Sequence, residues 1–145
     1  MRGRIKRFVR LLECPYNTIM RWKGQKAKAW EAVRAYVKSK EKDCYTCGRR
    51  NLVGIDAQAG HYLPVGLVGS NNTLSWDERQ IHLQCSRCNG VGQGQAVAYR
   101  EALCRDYGEK TVKELEARRW KVDKVKFWNE ITLHYEDLLK EGVSL

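Results

Sequence analysis

Two pairs of closely spaced cysteines constrain this chain more than any other feature of its sequence. Cys44 and Cys47 form the first C-x2-C pair, and Cys85 and Cys88 form a second pair a few tens of residues later. Four thiolates in this arrangement can bind one zinc ion tetrahedrally. The sequence therefore predicts a segment closed by a structural zinc, with disulfide pairing as the alternative explanation of the same residues.

The compartment expected for the chain favours the metal. The N-terminal residues are basic and are not followed by the long apolar stretch of a secretory signal. No apolar run approaches the roughly 20 residues that a membrane span needs. We therefore expect a soluble cytoplasmic protein with reduced thiols, in which paired cysteines bind metal. Cys14 and Cys104 have no nearby partner and are expected to be buried apolar residues.

The positive charge of the chain lies almost entirely in its first third. Residues 1–50 contain 15 Lys and Arg against 4 Asp and Glu, and residues 51–145 contain 12 against 13. A basic arm beside a nearly neutral body predicts a surface that binds nucleic acid, although solubilisation or contact with a membrane surface would also explain it. The candidate phosphate-binding residues are Arg21, Lys23, Lys26, Lys28, Arg34, Lys38, Arg49, Arg50 and Arg87.

Hydrophobic periodicity predicts a chain that is mostly helical. Patterns typical of amphipathic helices cover several segments, which are residues 2–13, a short stretch ending at Trp22, and residues 25–40, 95–107, 112–120 and 122–139. Residues 52–63 have strand character, with glycines that permit a hairpin or bulge, and residues 74–76 are expected to be short and extended. Residues 64–72 are expected to form a loop. The prediction is an α+β fold of mostly helical composition.

The residues inside the cysteine-closed segment indicate a possible chemistry. His61 follows the β segment, and Asn89 directly follows the last cysteine. This arrangement resembles the treble-clef, ββα-metal site of HNH endonucleases. A neutral imidazole there takes a proton from a water that attacks phosphorus, while a divalent ion stabilises the charge on the phosphate and the leaving 3′ oxygen.

A longer series of residues makes the resemblance more specific. In chain order they are Ala59-Gly60-His61-Tyr62, Leu74-Ser75-Trp76, Gln84-Cys85-Ser86-Arg87-Cys88-Asn89, Gly94, Tyr99-Arg100, Leu103, Gly108, Val112 and Leu115-Glu116. In this order and spacing, residues 25–120 resemble the NinG/Rap recombination-endonuclease family of lambdoid phages.

The resemblance implies an HNH-like nuclease that cuts branched DNA such as Holliday junctions and D-loops in the cytoplasm of the bacterial host. It implies a zinc ion bound by Cys44, Cys47, Cys85 and Cys88, and a catalytic Mg²⁺ or Mn²⁺. His61 falls at the position of the general base, and Asn89 falls at the last metal-binding position of the HNH motif. The implied organisation is a basic helical arm over residues 1–43, a zinc core over 44–94 and a C-terminal helical region over 95–145. A junction with two scissile strands would suit a homodimer.

Three positions depart from the HNH pattern. Gly60 stands where these sites commonly have a metal-binding Asp, so Asp56 or His82 is a candidate to replace it. Gln80 falls near the middle Asn of the motif, and Ser75 stands where the family has a basic residue. The alternative function is therefore a zinc-containing DNA-binding or adaptor protein without catalysis.

Overall fold

A small two-stranded antiparallel sheet packs against the first of several helices. The computed structural model describes residues 22–143, which contain five α-helices. The helices are α1 (Gly24–Lys40), α2 (Val65–Val68), α3 (Ala96–Tyr107), α4 (Glu109–Arg118) and α5 (Trp128–Val143), and the strands are β1 (Gln58–His61) and β2 (Ile81–Gln84). In the sheet, Gly60 lies opposite His82 and His61 lies opposite Ile81. The prediction of a mostly helical α+β fold is confirmed for these residues.

Helix α1 packs one face against the sheet and against α5. Its buried residues Ala29, Val33 and Val37 recur every four positions, so they form one stripe along the helix. The same core cluster contains three of the paired cysteines, with Trp22 and Trp30 packed at its side. The boundaries of α1 agree with the helix predicted over residues 25–40. The division of the chain at residues 43 and 94 stays a prediction.

The last predicted helical stripe is only partly helical. Helix α5 begins at Trp128, and the residues before it are irregular, with Val122 85% exposed. The Thr73 amide donates to the Asp123 carbonyl at 2.8 Å, and the Val125 amide donates to the Asn71 carbonyl at 2.7 Å. The prediction that 122–139 form one helix is wrong because residues 123–125 hydrogen-bond to the 71–73 loop instead.

The junction between α3 and α4 depends on one glycine. Gly108 has a φ of 84°, which a residue with a side chain rarely adopts, and it ends α3 as predicted. Helix α4 then begins directly at Glu109, without a side-chain cap. The predicted helix start at residue 112 is therefore wrong by three residues, since the turn at Gly108 leaves no linker between the helices.

Two segments that were predicted to be extended have a different conformation in the structure. Of residues 52–63, only Gln58–His61 form a strand, because Gly54, with a φ of 59°, opens a 3₁₀ turn over Gly54–Asp56. Residues 73–76 form another 3₁₀ turn, in which the Asn72 side chain accepts a hydrogen bond from the Leu74 amide at 3.0 Å. The predicted loop over 64–72 contains the single-turn helix α2.

Several predictions fall on residues that the structure does not describe. They are the helix over 2–13, most of the short helix ending at Trp22, Arg21 and Cys14. Among residues 22–143, no helix has both the length and the apolar character needed to cross a membrane.

Candidate functional site

The four paired cysteines meet at one point beside the sheet. Their Sγ atoms all lie within 4.8 Å of one another, and the Sγ atoms of Cys47 and Cys85 are 3.8 Å apart. A tetrahedral zinc with Zn–S bonds of about 2.3 Å would separate its sulfurs by about 3.8 Å. Cys44, Cys47, Cys85 and Cys88 could therefore hold a metal ion such as zinc with little rearrangement.

Backbone geometry directs the thiols of this cluster inward. Gly48 turns the first pair with a φ of 72°, and its amide donates to the Cys44 carbonyl at 2.9 Å. The second pair continues into a wide π turn over Arg87–Val91. The Cys85 amide donates to Cys44 Sγ at 3.3 Å, and the Cys88 amide donates to Cys85 Sγ at 3.5 Å. Such N–H···S contacts favour the thiolate that a metal ligand must be.

Two of the thiols have strongly different acidity. Burial raises the pKa of the Cys44 thiol, but hydrogen bonds from the Thr46 hydroxyl and from nearby backbone amides outweigh burial and lower this pKa to about 6. Burial raises the pKa of the Cys88 thiol to about 12, with neighbouring thiols adding to the effect. One negative charge is therefore stabilised in the cluster, and a bound cation would favour ionisation of the rest.

His61 is the last residue of β1, and its ring is fixed on two sides. The ring stacks on Trp30 of α1 with centroids 5.4 Å apart and planes 14° from parallel. Nε2 lies 2.8 Å from the backbone carbonyl of Ser75. Because a carbonyl only accepts, Nε2 donates and carries the proton of the neutral ring. Nδ1 then holds the lone pair, and it makes no hydrogen bond within residues 22–143.

Burial also sets the charge of this histidine. It lowers the pKa of His61 to about 4, and the hydrogen bond to Ser75 opposes the shift only in part. The ring is therefore neutral at pH 7, which is the state that a general base requires.

Gln80 positions the carbonyl that holds His61. Its side chain is fully buried, where Oε1 accepts from the Leu63 amide at 2.9 Å and Nε2 donates to the Leu74 carbonyl. Gln80 thus joins the two ends of the 64–73 segment and places Ser75 next to the end of β1. The sequence placed Gln80 near the middle residue of the HNH motif; its observed role is to close this segment.

Tyr99 holds the same strand end from the other side, and the sequence did not single out this role. Its hydroxyl lies 2.8 Å from the Gly60 carbonyl and 3.2 Å from the Gln80 carbonyl, and its side chain is fully buried. A buried tyrosine on the apolar face of a helix needs an acceptor for its O–H, which is the sequence signal for such a contact.

Asn89 lies on the opposite side of β1 from the His61 ring. Its Nδ2 donates to Gln58 Oε1 at 2.9 Å, and a Cβ on Gly60 would lie 2.9 Å from its Oδ1. Residues 60 and 61 point to opposite faces of the strand. His61 and Asn89 therefore lie on opposite faces of β1, at the end where the strand finishes.

The two other candidate ion ligands are engaged elsewhere. His82 is 2% exposed and stacks on Tyr45 at 3.8 Å; its Nδ1 bonds Glu41, and its Nε2 lies 3.1 Å from the Arg79 carbonyl. Asp56 accepts a hydrogen bond from Ser86 and pairs with Arg49 at 3.3 Å. Between residues 22 and 143, only the four cysteines bring three or more His, Cys, Asp or Glu ligand atoms close enough to share an ion. His82 and Asp56 are not brought together with His61.

The candidate DNA-binding residues fall into two groups. Lys26 donates to Ser70 Oγ at 2.6 Å and to Asn71 Oδ1 at 2.9 Å, so it is held within the fold. Burial lowers the pKa of Lys38, and the charge of Arg34 adds to this effect. Of the candidates, Lys23, Lys28, Arg50 and Arg87 are exposed and form no ion pair with residues 22–143.

Comparison with known proteins places the chain among phage proteins. A family model described as "Bacteriophage Lambda NinG protein" matches residues 13–142. Proteins named "Protein ninG" from Escherichia phage 933W, Escherichia phage lambda and Salmonella phage P22 are each 32% identical over 120 residues, which cover 79% of this chain. Those residues cover 56%, 55% and 55% of the three relatives, so the chain spans about half their length. No solved structure matches the chain.

Proposed function

The chain belongs to the NinG family of lambdoid phage proteins, and from this premise we propose that it is a metal-dependent DNA endonuclease. The proposed substrates are branched recombination intermediates, Holliday junctions and D-loops among them. The proposed core is an HNH-like site stabilised by a zinc ion on Cys44, Cys47, Cys85 and Cys88.

One observation carries the proposal, namely the environment of His61. Its ring is neutral at pH 7, its Nε2–H donates to a fixed carbonyl, and its Nδ1 has no protein partner among the described residues. In a histidine that served only to fill the core, both ring nitrogens would be expected to form hydrogen bonds. This geometry suits a general base whose ring orientation is set by the Ser75 carbonyl.

The proposed reaction is hydrolysis of one phosphodiester bond. Nδ1 of His61 accepts a proton from a water molecule as the water oxygen forms a bond to phosphorus. The bond from phosphorus to the 3′ oxygen breaks, and that oxygen leaves with a proton from solvent, giving a 5′ phosphate and a 3′ hydroxyl. The Ser75 carbonyl stabilises the imidazolium that forms. The ring then returns its proton to solvent.

A divalent ion would bind beside Asn89. The Nδ2 atom of this residue donates to Gln58, and its Oδ1 is directed toward Gly60 and accepts no hydrogen bond from the described residues. Amide oxygens are suitable ligands for hard cations. When bound there, Mg²⁺ or Mn²⁺ would stabilise the charge that develops on the phosphate and on the leaving oxygen.

Exposed cations would bind the DNA backbone. Arg87 lies in the turn that carries Asn89, and Lys28 is an exposed residue of α1. Contacts of this kind neutralise phosphates and carry little sequence information. We propose that preference for branched DNA comes from its shape and deformability. A homodimer would place two sites on the two strands of a junction.

The proposal is tested by cleavage of labelled four-way junction, linear duplex and single strand, with and without Mg²⁺ or Mn²⁺. The variants are His61→Ala and, as a matched control, His134→Ala, because His134 is an exposed histidine on α5. The expected result is metal-dependent nicking of the junction that His61→Ala loses and His134→Ala keeps. Zinc content and junction binding should be the same in all three proteins.

Gly60 stands where HNH sites commonly have a metal-binding Asp, so the same test must also be able to detect a protein that binds DNA without cutting it. With no carboxylate at residue 60, the site has fewer charged ion ligands than the HNH pattern. Tight junction binding with no cleavage under any metal condition would contradict the endonuclease and favour a zinc-containing DNA-binding or adaptor protein. Cleavage retained in His61→Ala would remove His61 from the reaction.

A further inference from the structure

Gln84 is a buried residue with an unsatisfied oxygen. It is the last residue of β2, its side chain is 0% exposed, and its Oε1 has no hydrogen-bond partner among residues 22–143. A buried acceptor without a partner loses the hydrogen bonds that it makes to water in the unfolded chain, so native proteins rarely keep one without a reason. The direction in which this oxygen points therefore matters.

The orientation of the Gln84 amide follows from its neighbours. Its Nε2 lies 2.9 Å from the Gly94 carbonyl and 3.1 Å from Thr46 Oγ1. If the amide were turned over, Oε1 would face the Gly94 carbonyl, and two acceptors would be in contact. The NH₂ group must therefore face Gly94, and Oε1 must face Gly60.

The orientation of Asn89 is set in the same way through Gln58. Gln58 Nε2 donates to the Ile55 carbonyl at 2.9 Å, which leaves Gln58 Oε1 to accept from Asn89 Nδ2 at 2.9 Å. Because the Ile55 carbonyl can only accept, the amide groups of Gln58 and Asn89 can each be oriented in only one way. Asn89 Oδ1 is thereby also directed toward Gly60.

The two free amide oxygens converge where Gly60 has no side chain. A Cβ on Gly60 would collide with Gln84 Oε1 and would lie 2.9 Å from Asn89 Oδ1. Two acceptors directed at one point repel each other unless a donor or a cation lies between them. Asn89 is only partly buried, so an ion could enter from its side.

We propose that Gln84 Oε1 and Asn89 Oδ1 together bind a divalent cation over Gly60. Amide oxygens with waters form the kind of ligand set that Mg²⁺, Mn²⁺ and Ca²⁺ accept. Gln84 thus supplies the oxygen that an Asp at residue 60 would supply in an HNH site, and Gly60 provides the space for it. The catalytic role of this ion rests on the endonuclease activity proposed above. Binding of the ion to the two oxygens does not, because it can be measured without DNA cleavage.

The test is titration of zinc-loaded protein with Mn²⁺, followed by electron paramagnetic resonance of the free ion. Gln84→Met removes the oxygen and keeps an unbranched side chain, and it should weaken Mn²⁺ binding at least tenfold. Asn89→Asp adds a charge to the ligand set and should strengthen binding at least tenfold, a gain that misfolding cannot produce. The control is Gln25→Ala, which removes an exposed amide at the start of α1 and should bind Mn²⁺ as the unchanged protein does.

Each outcome decides the proposal. If the unchanged protein does not bind Mn²⁺, the site is overturned. It is also overturned if Gln84→Met and Asn89→Asp both bind Mn²⁺ with the affinity of the unchanged protein. Mn²⁺ binding that depends on Gln84, in a protein that cuts no DNA, would uphold the ion site and contradict the endonuclease. Cleavage by Gln84→Met with an unchanged metal requirement would uphold the endonuclease and overturn this ligand set.

Discussion

Nε2 of His61 and the backbone carbonyl of Ser75 are 2.8 Å apart, and this contact determines which ring nitrogen can act as a base. The two residues are 14 positions apart in the chain, and the buried side chain of Gln80 holds the segment between them closed. The site therefore depends on the folded loop as much as on the strand that carries His61.

The acidity of His61 gives a first prediction. Its folded pKa of about 4 lies below the usual 6.5, so the folded state binds fewer protons than the unfolded state between these values. The ring should contribute at most about 3 kcal/mol of stability, present above pH 6.5 and lost as the pH falls to 4. NMR titration of the ring protons measures this pKa directly. A value near 6.5 would contradict the burial that the structure shows.

Gln80→Leu should destabilise the protein and disturb His61. The substitution leaves the Leu63 amide and the Leu74 carbonyl without their buried partner, at a cost of about 2–4 kcal/mol. Chemical denaturation measures the free energy of unfolding, and Gln25→Leu on the exposed side of α1 is the control. The His61 pKa should also move toward 6.5 in Gln80→Leu as the loop loosens. An unchanged stability would show that Gln80 does not close the segment.

The cysteine cluster should be required for folding. Cys88→Ser should lose the metal and lower the melting temperature strongly, because binding of a structural ion contributes directly to folding. Cys104→Ser should do neither, since Cys104 lies outside the cluster. Metal content by mass spectrometry and melting by circular dichroism give the two measurements. A Cys88→Ser protein with one bound zinc and unchanged melting would exclude the four-cysteine site.

Glu41 should stabilise the junction of α1 with β2. Its carboxylate accepts from His82 Nδ1 and from the Leu83 amide, the latter at 2.6 Å. Glu41→Ala leaves both buried donors without a partner and should cost about 2–4 kcal/mol, while Glu41→Gln should cost less because one acceptor remains. Glu31→Ala, at an exposed position of the same helix, is the matched control in denaturant titration. Equal stability of Glu41→Ala and Glu31→Ala would refute the role of Glu41.

Lys26 and Lys28 should behave differently although they are neighbours on α1. Lys28 is exposed, so Lys28→Ala should reduce the dependence of log K on log salt by about 1 per lost phosphate contact and leave the melting temperature unchanged. Lys26 is bound to Ser70 and Asn71, so Lys26→Ala should lower the melting temperature. Junction binding at several salt concentrations, with parallel melting curves, separates the two. The distinction fails if Lys28→Ala alone destabilises the protein.

Local patterns in the sequence were sufficient for part of the fold. Helix α1, the end of α3 at Gly108 and the mostly helical composition were predicted because apolar spacing and glycine are local signals. The segment before α5 was predicted wrongly, since its conformation depends on hydrogen bonds between residues about 50 positions apart. No local pattern records such contacts.

The sequence by itself determined which four cysteines cluster and placed His61 at a strand end, because C-x2-C spacing and the residues around a histidine can be read directly from the sequence. Only the tertiary structure decided which nitrogen of His61 is free, that His82 is buried against Glu41 and that the Gln84 and Asn89 oxygens face each other. The physical reason is that hydrogen-bond directions at a ring or an amide are set by the partners that folding brings to it. Those partners come from α1, from the 64–73 loop and from the turn after Cys88.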